Sequence, residues 1–289
     1  MIMKNRTKSM LPLITSCLFW ALVIAMAGSC QSSKTYSPAG LVLLPPETLL
    51  DMARSKTLFP LEATVKDSLG NVMGERVMEE ILKANLGASF YANEAGKVEE
   101  VVVRPPSLED ELLLLQLVET DNFLKREVPF MEINCARKKE ILEYISKRDQ
   151  GGRGVPVDVG LGGNIDENNQ IILANLFRQC GFPATEDVGE PAMLGAFLVL
   201  QHAPSDMRGY YFSFIEAEVK SGMLSKDLLA LMTDRLLAID HDKKQVYGTQ
   251  VLNVGGNITV LPVRDEEHLE QRRAEVGLKP LYERLRRFE

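Results

Sequence analysis

The sequence predicts an α+β protein, with a small mixed α/β region followed by a mainly helical region that carries a late β-hairpin. Three observations support this class. "ASFYANEAGKVEEVVVRPP" places two strand-like runs around Asn93 to Gly96 and ends them with two prolines. From Ser107 onward, apolar residues recur mostly at helical spacing between recognisable start and stop signals. "QVYGTQVLNVGGNITVLPV", Gln245 to Val263, then sets two β-rich runs around Gly255 and Gly256.

At the N-terminus, Lys4, Arg6 and Lys8 precede an uncharged stretch that ends in small residues before Cys30. A positive n-region, an apolar h-region and a small-residue cleavage site form a signal peptide layout. "MAGSC" resembles the bacterial lipoprotein signal, which implies cleavage before Cys30, acylation of its thiol and a chain held at a membrane by lipid. Leu11 to Ala27 is slightly long for an h-region and slightly short for a spanning helix, so an uncleaved anchor stays open. Either way the rest of the chain is expected to leave the cytoplasm and work in the cell envelope, facing the periplasm or the surface. The organisation read from these signals is residues 1–29 as signal, 30–46 as tether, 47–106 as the small α/β region and 107–289 as the helical one.

The formal charge is −7, and removing three basic residues with the signal takes it to −10. An acidic chain without clustered Lys and Arg lacks the electrostatic footprint for nucleic acid. "RLRR", Arg284 to Arg287, is the one basic cluster and reads as a solvated face near a helix C-terminus. Cys135 and Cys180 are the cysteines left after Cys17 and Cys30, and both a disulfide and two buried thiols fit their apolar, helical contexts. Two cysteines and three dispersed histidines show no zinc spacing, so no metal or other cofactor is expected.

Within the α/β region, "PPETLLDMARSK" puts proline at a helix start, and "ERVMEEILKANLG" repeats Val77, Ile81 and Leu82 at helical spacing before Gly87. A helix followed by the Ala88–Arg104 hairpin is similar to part of the C-terminal domain of TonB-like energy transducers, over about twenty residues. That hairpin is also a candidate edge for β-augmentation by an envelope partner. Ser107 and Asp110 stand as N-cap and N3 of the next helix, as in a capping box. Further helices are expected over 136–148, 167–180, 191–203, 209–221 and 225–239. The helix over 191–203 is apolar on every face, the mark of a helix surrounded by others. The glycine-rich 151–164 stretch has no GKS or GKT and reads as a surface loop rather than a phosphate cradle.

The polar residues form an ordered series: "RDQGGR" with Asp149, Gln150 and Arg153; "DENN" with Asp166 and Asn169; "QHA" with Gln201 and His202; "TDR" with Asp234 and Arg235; "QVYGTQ" with Gln245, Tyr247, Thr249 and Gln250; and "RRAEVGLKPL". From about residue 140 to the C-terminus this order resembles DUF6624. In that pattern an acidic residue follows "QHA", where this chain has Pro204 and, as the nearest carboxylate, Asp206. The resemblance implies no reaction.

From the residues themselves, Asp166 fits an N-cap and Asp149–Arg153 a surface pair. Arg235 lines up with Leu228, Leu231, Met232 and Ile239, so it points to the apolar side and needs a carboxylate such as Asp149 or Asp166. Glycine at 248 suggests close backbone approach, and a strand there would turn Tyr247 and Thr249 to one side and Gln250 to the other. Two functions fit. One is a non-catalytic envelope binding or scaffold protein whose polar cluster locks a helical core, with an envelope protein or a small polar ligand as partner. The other is a lipid-anchored hydrolase or similar acid–base enzyme, with His202 as base oriented by Asp206 or Asp234 and with Arg153 or Arg235 holding an anionic group.

Overall fold

The computed structural model describes residues 36–58, 61–73, 86–151 and 165–286. Cys30, Arg153, the "ERVMEEILKAN" segment and nearly all of the glycine-rich loop lie outside them. The architecture is α+β as expected, with a four-stranded sheet, a helical body and a second two-stranded sheet.

The sheet contains β1 (Val42–Leu43), β2 (Thr64–Lys66), β3 (Gly87–Ala92) and β4 (Val98–Arg104) in the order β1-β3-β4-β2. β3 and β4 are the antiparallel hairpin, with Ala88 opposite Val103 and Gly96 at φ 79° in the turn. Asn93 Oδ1 closes that turn by accepting from the amides of Ala95 and Lys97. β1 joins β3 antiparallel and β2 joins β4 parallel, so the hairpin supplies the inner strands of the sheet. This corrects its reading as a free edge for a partner strand: the edges are the short β1 and β2. Neither was evident in the sequence, because two or three residues are too few to show an alternation. The folded part also begins inside the segment read as tether. The Tyr36 hydroxyl donates to Glu100 at 2.9 Å and accepts from Lys66 Nζ at 2.6 Å, where Lys66 and Glu100 themselves pair at 2.7 Å.

Helix α1 (Pro46–Arg54) starts at a proline and buries Leu49, Leu50 and Ala53 against Phe90, Val101 and Val103 of the sheet. Helix α2 (Leu108–Lys125) opens with the expected capping box: Ser107 accepts from the amide of Asp110, and Asp110 accepts from that of Ser107. Asp110 also holds Arg104 through both carboxylate oxygens, fastening the end of β4 to the helix start. The run "ELLLLQLV" is apolar on opposite sides because two cores claim it. Leu113, Leu114 and Leu117 face the sheet, while Leu112, Leu115 and Phe123 face the helical body.

That body contains α3 (Lys138–Gly151), α4 (Ile165–Cys180), the single turn α5 (Thr185–Val188), α6 (Glu190–His202), α7 (Ser205–Lys220) and α8 (Lys226–Arg235), which continues into a π-helical turn at Leu236–Asp240. A Cys135–Cys180 disulfide, Cα–Cα 5.5 Å, ties the entry of α3 to the end of α4. α6 lies at the centre, with Met193, Ala196, Phe197, Val199 and Leu200 buried and Leu194 reaching the surface.

α2 and α7 cross closely at Gly209. A methyl group there would sit 2.4 Å from Glu119 Cβ, a distance no relaxed packing allows. Gly209→Ala is therefore expected to cost roughly 1–3 kcal/mol by overpacking, read as a lower midpoint in urea unfolding. Arg54 adds a further link between the two cores, donating to Ser213 Oγ at 2.5 Å and lying 4.3 Å from the Phe214 ring centroid.

After α8 come β5 (Val251–Val254) and β6 (Asn257–Val260), antiparallel around Gly255 and Gly256 as expected, then α9 (Leu269–Glu275) and α10 (Leu281–Leu285). Among the described residues no helix is long and apolar enough to cross a membrane.

Candidate functional site

The ordered polar motifs come together in two places. The first is built on Asp234, whose side chain lies in the last turn of α8 and is fully buried. Its Oδ1 accepts from the amides of Val246 (2.7 Å) and Tyr247 (3.0 Å), and its Oδ2 from that of Thr249 (2.8 Å). Three amides can converge on one carboxylate because Gly248, at φ 66°, turns the chain through the left-handed region between them. The sequence reading of a strand with alternating faces is thus corrected: Gln245–Gln250 is a loop wrapped around a carboxylate. Glycine is required here by the positive φ rather than by close approach, since a methyl group would meet Leu269 and Val263 at ordinary contact distances.

The same loop's carbonyls point outward to arginines. Arg272 Nε donates to Val246 O at 3.0 Å, Arg273 Nη1 to Tyr247 O and Arg284 Nη2 to Thr249 O. Gln245 closes the loop ends: its amide nitrogen donates to Gln250 O and Leu261 O, and its oxygen accepts from the Gln250 amide. Gln250 Nε2 in turn donates to Thr249 Oγ1 at 3.0 Å. "TDR", "QVYGTQ" and "RRAEVGLKPL" are thereby one hydrogen-bonded unit. The sequence predicts Arg284 on a solvated face; the structure turns it inward onto the loop. Helical spacing also predicts Arg235 on the buried side of α8. The structure buries Asp234 completely and leaves Arg235 half-buried, because the 245–250 loop covers the Asp234 side. Burial pushes the Asp234 carboxyl above its ordinary range, against the lowering effect of the amides of Thr249, Tyr247 and Val246.

The second place is the end of α6. A helix C-terminus leaves carbonyls without intrahelical donors, and here side chains supply them. The buried Arg208 donates to Gln201 O at 3.1 Å and to Ala203 O, and Gln170 Nε2 donates to His202 O at 3.1 Å. Arg208 is neutralised by Asp240 from the π-turn, whose carboxyl burial pushes up even though Arg208, His241 and Arg235 lower it. The polar "QHA" ending is therefore backed by a buried guanidinium. His202 itself is half-buried. Asp206 is held by Arg126 through both oxygens, at 2.5 and 2.7 Å. A cavity of about 260 Å³ opens between Arg126, Glu127, Glu167, Gln170, Ile171 and Met207.

Of the remaining candidates, Asn169 is buried and donates to Ile145 O at 3.3 Å, and Asp149 is also buried. Asp166 is exposed in the first turn of α4 rather than serving as its N-cap, since the helix begins one residue earlier. Gln150 falls in the last turn of α3. Among the described residues, no group of three or more His, Cys, Asp or Glu side chains is placed to hold a metal ion.

Residues 155–289 match the family model of DUF6624, a family of unknown function. The DUF6624 match begins after "RDQGGR" and takes in the Asp234 group and the end of α6 with Arg208 and Asp240, while Arg126, which holds Asp206, lies before it. No curated protein and no solved structure matches the chain.

α2 lies before the DUF6624 segment but is bonded to it by two buried acids. Glu111 pairs with Lys243 and Arg264, each at 2.9 Å, and Glu119 lies 2.9 Å from His241 Nε2. Burial pushes both carboxyls up, yet hydrogen bonds and charge, from Lys243 and Arg264 for Glu111 and from His241 and Asn122 for Glu119, hold them below the usual glutamate range. A depressed folded pKa stabilises the fold above the unfolded glutamate value, about 4.3, and that stabilisation is lost as pH falls through the folded value. Asp234, with its raised pKa, acts in the opposite sense. Stability is thus expected to fall from about pH 5 toward about pH 3, and Glu111→Gln to flatten that limb, as followed by thermal unfolding against pH.

Proposed function

We propose that this chain is an envelope lipoprotein, anchored through Cys30, that works as a non-catalytic binding or scaffold protein. In it, the motifs shared with DUF6624 lock the C-terminal region into one rigid body. The observation that carries this reading is Asp234, a member of the ordered polar series, with both carboxylate oxygens committed to backbone amides of the loop. Three backbone amides occupy its two oxygens and it is fully buried, so it serves the loop rather than facing solvent or a substrate. The disulfide supports an oxidising compartment, and the signal-like N-terminus supports a lipid anchor.

One observation favours the acid–base alternative. His202 is half-buried rather than sealed, and Gln170, which binds its carbonyl, lines the 260 Å³ cavity. In that reading Asp206 reaches the reaction through its pair with Arg126. His202→Ala separates the two. The scaffold reading expects a folded protein with unchanged behaviour toward ester, amide and phosphoester substrates; loss of a measurable hydrolysis in that variant would establish the enzyme. Cys30→Ser should abolish labelling by a fatty-acid probe, and persistent labelling would remove the anchor.

A further inference from the structure

We propose that the β5–β6 hairpin is a self-association edge, through which two copies of this chain join β5 to β5 in a continuous four-stranded sheet. The hairpin runs from Val251 to Val260 without a single charged residue, on a chain whose formal charge is −7. Two like-charged copies repel over most of their surfaces, and an uncharged strand edge is where they can meet. Such edges are ordinarily protected by lysine, proline or a bulge, and β5 has none of these. Leu252 and Val254 are 47% and 71% exposed and, two residues apart, share one face. Among the described residues, neither outer edge of this sheet is paired with another strand.

The register decides which edge pairs and how. The two-residue turn at Gly255–Gly256 makes Val254 and Asn257 the first hydrogen-bonded pair. Pairs alternate along an antiparallel ladder, so Leu252 with Thr259 is the next, and the Leu261 amide bonded to Gln250 O keeps the phase. The backbone groups of Val251 and Asn253 therefore point outward from β5. A two-fold axis at Asn253 would let the Asn253 N–H of each copy donate to the Asn253 carbonyl of the other. The same axis sets Leu252 opposite Val254 of the second copy, twice, and brings four exposed apolar side chains onto one face. β6 lacks this match, because the residues it shows on that face are Asn257 and Thr259. The base of the hairpin is held by the Asp234 loop, so its edge is presented without a further ordering cost. Four residues a side are less than a stable interface requires, so the association is weak.

The test is sedimentation equilibrium of the full chain in density-matched detergent. Wild type should self-associate reversibly, and Leu252→Lys with Val254→Lys should weaken this by about tenfold through like charges placed opposite each other. Leu252→Lys with Val254→Glu sets the introduced lysine of each copy opposite the introduced glutamate of the other and should restore association to within about threefold of wild type. Unchanged thermal unfolding of each variant shows that the fold is intact, since these side chains project into solvent. A wild type that stays monomeric at every concentration overturns the proposal. So does association that the double-lysine variant leaves unchanged, or that the Lys/Glu variant fails to restore.

Discussion

Asp234→Ala is expected to destabilise the protein by about 3–5 kcal/mol, because it leaves three buried amides without an acceptor and each unsatisfied donor costs about 1–3 kcal/mol. The Asp234 carboxylate is fully buried, and its bonds to the Val246 and Thr249 amides are buried with it, so water does not readily replace the lost acceptor. Once the carboxylate is gone, the loop also presents its carbonyls less accurately to Arg272, Arg273 and Arg284, so loss should spread to α9 and α10. Asp234→Asn keeps one carbonyl oxygen and should cost less than alanine. Chemical unfolding of the two variants, read by circular dichroism, checks both the size and the order.

Removing the Cys135–Cys180 disulfide should cost about 4 kcal/mol by the loop-entropy relation for a separation of 45 residues. The bridge holds the entry of α3 to the end of α4, beside the extended 128–134 segment that Asn175 and Gln179 bind through the backbone of Pro129, Met131 and Ile133. Those amide side chains keep the segment near α4 when the sulfurs are reduced, so the effect should fall mainly on global stability. Cys135→Ser with Cys180→Ser, and wild type in dithiothreitol, should give the same lowered unfolding midpoint. A midpoint unaffected by either treatment would show that the bridge is not formed in solution.

Long, periodic elements were legible in the sequence. The capping box at Ser107 and Asp110, the all-apolar α6 and the turns at Gly96 and Gly255–Gly256 each follow from local chemistry, and the structure has them where that chemistry put them. The short β1 and β2 were not legible, because their pairing is decided by strands dozens of residues away. The polar series was legible as a set, but its geometry was not. Helical spacing favoured Arg235 over Asp234 because it takes no account of a later loop covering the other side of α8. Arg208, Asp240, Glu119 and His241 lie outside the quoted motifs, so their link between α2, α7 and the π-turn had no local signal. Proximity in sequence suggests Asp206 as a partner for His202, whereas the structure pairs it with Arg126, 80 residues earlier.

Native-state hydrogen exchange reads whether Asp234 clamps the 245–250 loop as part of the fold. Amide protons of Val246, Tyr247 and Thr249 should exchange only through global unfolding, as slowly as those of the α6 core, and their protection should collapse in Asp234→Ala. Fast exchange at these three amides in the wild-type protein, or unchanged protection in the variant, would mean that Asp234 does not clamp the loop.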